Sequence, residues 1–220
     1  MIPAIAAAPA RVMLQLQAAM NSKVDPEWIS ARYPYLRAVV IEAAEAIEHH
    51  GWKWWKKQLM DLPQLQMEII DIWHFILSEM LLENDGNVEN TLPQLTDWQY
   101  ENTLEFDSQT YTINERSLLD KLELLIALSA SRRIDLSVFA AIMKDCELDW
   151  SSLFTQYVGK NVLNFFRQDN GYKEGHYQKL WNGREDNEIL VEVMGGLDAN
   201  DPLYAEHLYN GLRDRYPARP

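Results

Sequence analysis

Apolar positions recur at helical spacing along most of the chain. Val12, Met13, Leu16 and Met20 place an amphipathic helix over about 10–21. A second pattern begins after the Tyr33-Pro34 step and runs to His49 or His50, with Gly51 as its stop. The following WKWWKKQL, residues 52–59, reads as a short helix or the arm of a turn. A third helix starts beyond Pro63 and continues to about Leu82. Its Ile69, Ile70, Ile72, Trp73, Phe75, Ile76 and Leu77 leave no solvent face, the mark of a buried helix. From Glu83 to Glu115 the periodicity fails, and the stretch reads as a long connection with short strands around Tyr111. Helical spacing returns at Leu118–Ser131, at Leu136–Lys144 and from about Trp150 to Phe166. Beyond the glycine-containing stretch Gly171–Gly183, shorter helices are expected at Asp186–Met194 and Pro202–Arg213. The expected fold is all-α, a helical bundle in one domain over 1–220, with 83–115 as an excursion and 195–220 as a C-terminal tail region.

Composition narrows the function classes. Only nine Gly and nine Pro occur in 220 residues, which disfavours a turn-rich all-β fold. With 47% hydrophobic residues and eight Trp, the chain is not of the disordered class. A formal charge of −13 argues against a general binder of duplex DNA or anionic membranes, whose affinity rests on Lys and Arg meeting phosphates. The one cysteine, Cys146, can form no internal disulfide and no multi-cysteine zinc site. The opening MIPAIAAAPA has no basic n-region, and no apolar run reaches the roughly 18–20 residues that span a bilayer. A cytoplasmic protein is expected.

Candidate chemistry lies in two pairs of acids. Glu42-Ala-Ala-Glu45 sits inside VVIEAAEAIEHH, and Glu68-Ile-Ile-Asp71 inside QMEIIDIWHFIL. A separation of three puts both acids of a pair on one helix face. A solvated charged stripe is the ordinary reading of such a match. Here the flanking residues are apolar, and the third helix has no Lys or Arg between Pro63 and Leu82. Buried carboxylates are costly unless neutralised, paired or metal-bound. All-oxygen ligands favour hard cations, so Mg²⁺ first and Mn²⁺ second, in a site suited to phosphate chemistry. Asp71 and His74 have the i, i+3 spacing found in di-iron carboxylate bundles, but those proteins use two Glu-x-x-His motifs, which these two helices lack. His74 reads as a hydrogen-bonded core histidine.

Positive charge is concentrated in two islands. Lys160, Arg167, Lys173, Lys179 and Arg184 face only Asp169 and Glu174 over 156–184, and Lys53, Lys56 and Lys57 have no acid among residues 52–59. Interleaved with Tyr172, Tyr177, Trp181, Trp52, Trp54 and Trp55, they could stack and hold nucleic acid, or grip the phosphates of one nucleotide. Lysines snorkelling from an amphipathic surface are the ordinary alternative. Both islands together with a metal site are explained most economically by nucleotide phosphates.

The string Lys160-Asn161-Val-Leu-Asn164-Phe-Phe-Arg167, followed by Gly171-Tyr172-Lys173-Glu-Gly175-His-Tyr177-Gln-Lys179-Leu-Trp181 and Glu185-Asp186-Asn187, resembles the C-terminal motif of the dimeric all-α dUTPases. The superfamily pattern E-x-x-E, then E-x-x-D, is matched by Glu42, Glu45, Glu68 and Asp71 with 22 residues between the pairs. MLQLQAAMN and GWKWWK resemble further elements of that family, so the likeness covers about 10–80 and 157–190. The resemblance implies hydrolysis of dUTP to dUMP and pyrophosphate, with dUDP as a candidate second substrate. It implies that Glu42, Glu45, Glu68 and Asp71 hold Mg²⁺ and that one of them orients the water attacking the α-phosphorus. Gln17 and Asn21 would meet the uracil edge, Trp55 and Phe75 would pack around the base, and Asn164 would contact the deoxyribose. Lys160, Arg167, Tyr172, Lys173 and Lys179 would hold the phosphates, with Asn161 in either role. A homodimer whose partner helps to complete the site is also implied. The alternatives are a relative preferring another nucleotide such as dCTP, a nucleotide-sensing protein without turnover, and the di-iron bundle.

Overall fold

Two helices that meet along their length frame the molecule. In the computed structural model, which describes residues 2–198, 201 and 203–217, the chain forms α1 (Ala7–Val24), α2 (Trp28–Ala31), α3 (Tyr35–His50) and α4 (Leu62–Glu83). Gly51 ends α3 with φ +84°, a left-handed conformation that glycine adopts without strain. Asp61 caps α4, its side chain accepting from the Gln64 amide, and the proline at position 63 falls in the first turn, where its missing N–H costs nothing. Between them, residues 52–59 form a turn-containing loop, not a helix. Helices α3 and α4 pack closely, so Glu42 of the first acidic pair meets Glu68 and Asp71 of the second across a helix interface.

The stretch 83–115 is more structured than its pattern suggests. It contains α5 (Val88–Thr96), the hairpin β1 (Thr103–Phe106) and β2 (Gln109–Thr112), and a 3₁₀ turn at Ile113–Glu115. The strands expected around Tyr111 are there, but α5 is a correction. It is short, carries Pro93 inside, and turns only Thr91, Leu92 and Leu95 inward against α1, too little for a period to emerge. Arg11 of α1 pairs with Glu89 at its N-terminal turn. The hairpin turns through Asp107 and Ser108, both at positive φ, as a two-residue turn of matched twist requires.

Beyond it lie α6 (Leu118–Ala130), α7 (Leu136–Asp145), α8 (Trp150–Asp169), a two-residue ladder of β3 (Leu180–Trp181) and β4 (Arg184–Glu185), α9 (Asp186–Gly195) and α10 (Tyr204–Arg215). Helix α2 and the second ladder have no signal in the sequence pattern. Pro202, where the last helix was expected to begin, lies outside the described residues, as do 199, 200 and 218–220 of the tail. The main core centres on α4, whose Trp73 stacks on Phe139 of α7 with centroids 4.8 Å apart. A second cluster joins Leu163 and Phe166 of α8 to Trp181, Leu190, Leu208 and Leu212. Gly159 lies against this second cluster: a Cβ there would stand 2.5 Å from the Met194 sulfur, and the methionine side chain would have to shift. Among the described residues, no helix is long and apolar enough to cross a membrane.

Candidate active site

Helices α3, α4 and α8 each bring charged side chains to one point. Carboxylate oxygens of Glu42, Glu68 and Asp71 lie within 4.8 Å of one another, the only group of metal-ligating type found among the described residues. It contains no histidine, so the donor set is all oxygen. Glu68 is 7% exposed. Burial first, then the charge of Asp71, pushes both Glu42 and Glu68 above the usual carboxylate range, and the neighbouring Glu42 raises Glu68 further. Glu45 differs from the expectation of four inward acids. It is exposed and stands outside the three-acid group, although it lines the same cavity.

The acids are also less isolated than their helices suggest. Lys160, from α8, places its ammonium 2.7 Å from Asp71 Oδ2 and 3.0 Å from Asn187 Oδ1, with the side chain 2% exposed. His49 Nε2 stands 3.4 Å from Glu68 Oε1. The uncompensated cluster read from α3 and α4 therefore has one buried cation, supplied from far along the chain. Arg167 is likewise engaged. Its guanidinium clamps the fully buried Asp186 through two contacts of 2.8 Å, and Tyr177 donates to the same carboxylate at 2.8 Å. Burial alone would raise Asp186, but Arg167 and Tyr177 outweigh it and hold the carboxyl below its usual value.

Two cavities meet at this point. One, of about 790 Å³, is lined by Glu42, Glu45, Glu68, Asp71, Lys160, Arg167 and Lys179. The other, of about 410 Å³, is mostly aromatic and apolar, with Met20, Val24, Trp28, Tyr33, Tyr35 and Phe75 in its wall and Gln17, Asn21, His74 and Asn164 as its polar groups. Glu42, Asp71, Arg167 and Tyr172 line both. Asn164 Oδ1 accepts from Arg167 Nη1 at 3.1 Å.

The amide of Gln17 is fully occupied by the protein. Its Oε1 lies 2.7 Å from His74 Nδ1 and 2.9 Å from the Tyr157 hydroxyl, and its Nε2 lies 3.0 Å from Asn21 Oδ1 and 2.8 Å from Ser78 Oγ. Desolvation pushes His74 down to about 3, so the ring is neutral, the hydrogen-bonded core histidine its position suggested. Asn21 Nδ2 and His74 Nε2 are buried without a partner among the described residues.

A family model described as dUTPase matches residues 10–172, three quarters of the chain, including Gln17, all four acids and Arg167. The chain belongs to the all-α dUTPase family. No curated protein matches it significantly. Family membership supports a dUTPase-like nucleotide pyrophosphatase and implies a hydrolase of the dUTP-cleaving kind, and the family generally uses a divalent metal. The all-α fold agrees with that assignment.

Several expected site residues lie elsewhere. Trp55 is 60% exposed on the loop after α3 and lines neither cavity. Lys173 donates to the Val24 carbonyl at 2.7 Å, and Asn161 is buried in α8 with Nδ2 unpartnered among the described residues. Sequence reasoning gave no site role to His74, Ser78 or Tyr157. Helical spacing offered the signal: His74 follows Asp71 by three residues, Ser78 follows His74 by four, and Tyr157 precedes Lys160 by three.

Proposed function

We propose that this protein is a Mg²⁺-dependent dUTP nucleotidohydrolase that releases dUMP and pyrophosphate. The junction of the two cavities carries the reading. An aromatic chamber with a few amides opens, across Asp71 and Arg167, into a chamber of carboxylates and bases. A flat heterocycle, a sugar and a chain of phosphates present those surfaces in that order.

The donor set fits a hard cation, since three carboxylates converge and burial, with the charge of Asp71, already raises two of them. Glu42, Glu68 and Asp71 would hold Mg²⁺, or Mn²⁺ in its place, with Glu45 reaching in from the mouth of the cavity. When bound, the metal neutralises phosphate charge and makes water a stronger nucleophile. In this reading, one of the four carboxylates orients that water toward the α-phosphorus. The bond from the α-phosphorus to the bridging oxygen breaks as the new P–O bond forms, and pyrophosphate leaves. Lys160, Arg167, Tyr172 and Lys179 hold the phosphates in place. Asn21 and Phe75 meet the base and Asn164 the sugar. Trp55 and Lys173 join the site only if the loop after α3 and the segment after α8 move on binding. A homodimer belongs to the same reading, and light scattering would measure it.

Incubation with each common dNTP and Mg²⁺ tests the activity. Pyrophosphate should appear with dUTP and not with dTTP, and its absence with dUTP would end the proposal. Rapid loss of dCTP instead would move the assignment to another nucleotide within the family.

A further inference from the structure

Tyr157 is fully buried behind the aromatic cavity and lines no part of it. Its ring stacks on His74 with centroids 4.1 Å apart. Its hydroxyl lies 2.9 Å from the Met13 carbonyl and 2.9 Å from the Gln17 amide. Burial keeps the phenol protonated, so it has one hydrogen to donate.

An amide turned by half a revolution exchanges its oxygen and nitrogen, so two hydrogen-bond arrangements share these heavy-atom positions. In the first, Gln17 directs its oxygen at Tyr157 and His74. His74 then carries its proton on Nδ1, Nε2 is an acceptor, and Asn21 offers the cavity an NH₂ donor. Tyr157 faces two acceptor oxygens with a single proton, and one contact is left unbridged. In the second, the Gln17 and Asn21 amides are both turned. Gln17 donates to Tyr157 and to His74 Nδ1, Tyr157 donates to Met13, and Asn21 donates to the Gln17 oxygen. Every contact of Tyr157 and of the His74 ring is then bridged, and the single Ser78 hydrogen stands between two acceptors as it does in the first arrangement. His74 Nε2–H becomes a donor to the cavity, and Asn21 presents a carbonyl oxygen.

We propose that the Tyr157 hydroxyl sets the donor and acceptor polarity of the Asn21–His74 pair, and through it which pyrimidine the cavity admits. Gln17 is the relay in this scheme and reads no base itself. The inference rests on the base-binding reading of this cavity. The chemistry of the bases gives the polarity its consequence. Uracil has a donor at N3 flanked by two acceptors, whereas cytosine has an acceptor at N3 flanked by one donor and one acceptor. With the ring held by its sugar so that N3 faces Asn21, that side chain must accept from uracil and donate to cytosine. The second arrangement suits uracil with N3–H on the Asn21 oxygen and a ring carbonyl on His74. Tyr157 is thus a positioning residue for specificity.

Two measurements test this. In the wild-type protein, ¹⁵N spectra of the imidazoles should show His74 protonated at Nε2, and protonation at Nδ1 would overturn the proposal without any variant. Tyr157→Phe keeps the ring stack and removes the hydroxyl. The ratio of kcat/KM for dUTP over dCTP should fall by about tenfold, equivalent to about 1.4 kcal/mol, chiefly through KM for dUTP. The affinity ratio of dUMP over dCMP, taken by calorimetry without metal, should fall in step. Both ratios staying within about twofold of wild type, whatever the loss in melting temperature, would reduce Tyr157 to a packing residue. A wild-type protein that binds dUMP but turns over no dUTP would defeat the catalytic reading alone, and the binding ratio would still decide this one.

Discussion

Lys160 Nζ stands 2.7 Å from Asp71 Oδ2, and the lysine side chain is 2% exposed. Three neighbouring carboxylates therefore share one buried ammonium, and they are not equivalent. Asp71 balances a charge, whereas Glu42 and Glu68 are in excess.

That inequality predicts opposite effects on stability in metal-free protein. Asp71→Asn leaves the ammonium with neutral partners only and should cost about 3–5 kcal/mol, the penalty for breaking a buried pair. Glu68→Gln relieves repulsion and should raise the melting temperature by about 2–4 °C, or ~1 kcal/mol for a chain of this size. Both variants should lose at least about 100-fold in turnover. Thermal unfolding in chelator checks the contrast, and equal losses for the two substitutions would contradict it.

Metal binding should depend on pH in a set direction. Burial and like charge raise Glu42 to about 7 and Glu68 to about 8. The stability associated with their protonated forms is full below the ordinary carboxylate range and is lost as pH rises through those values. Mg²⁺ needs the ionised forms and displaces the protons. The rise in melting temperature on adding Mg²⁺ should therefore be small near pH 5 and largest above about pH 8. Calorimetry in buffers of different ionisation heat should detect proton release at neutral pH, and a pH-independent affinity would be incompatible with this cluster as the ligand set.

Glu45 gives a sharper separation of roles. It is exposed and outside the three-acid group, so Glu45→Gln should leave metal-free stability within about 0.5 kcal/mol of wild type. As a ligand recruited on binding, its loss should weaken Mg²⁺ by about 10–100-fold and slow dUTP cleavage. Unchanged Mg²⁺ titration would remove Glu45 from the ligand set.

Asp186 is the acid whose partners pull it down. Its carboxylate contributes stability above the ordinary aspartate range and loses it as pH falls through the depressed folded value. Asp186→Asn should cost about 3–5 kcal/mol at neutral pH, because it leaves the Arg167 guanidinium without its counter-charge. It should also flatten the acid limb of the stability curve, which urea unfolding at a series of pH values would show.

The long helices were legible because burial imposes a period. Helix α4 turns Ile70, Trp73 and Leu77 into the core and reads as buried at sight. Helix α5 was not legible, since nine residues with an internal proline bury only three side chains. The acidic cluster was legible as two spaced pairs, but the spacing could not tell which acid points outward. Ile41 is 53% exposed, so the apolar flank of Glu42 in the sequence is not a buried wall. Pairings such as Lys160 with Asp71 and Arg167 with Asp186 join distant stretches, and no local pattern encodes them. Gln17 shows the same limit: its residue type suggested a base contact, while its neighbours occupy every donor and acceptor it has.

Gly159 faces the Met194 side chain where α9 lies against α8. Asp186 and Asn187, which open α9, thereby reach Arg167 and Lys160. Both lie beyond residue 172, where the family match ends. A fragment ending at residue 172 would keep every acid of the cluster and Lys160 on Asp71, but it would strand Arg167 without the carboxylate of Asp186. The stretch of chain by which this protein is known and the stretch by which its charges are held in register do not share an endpoint.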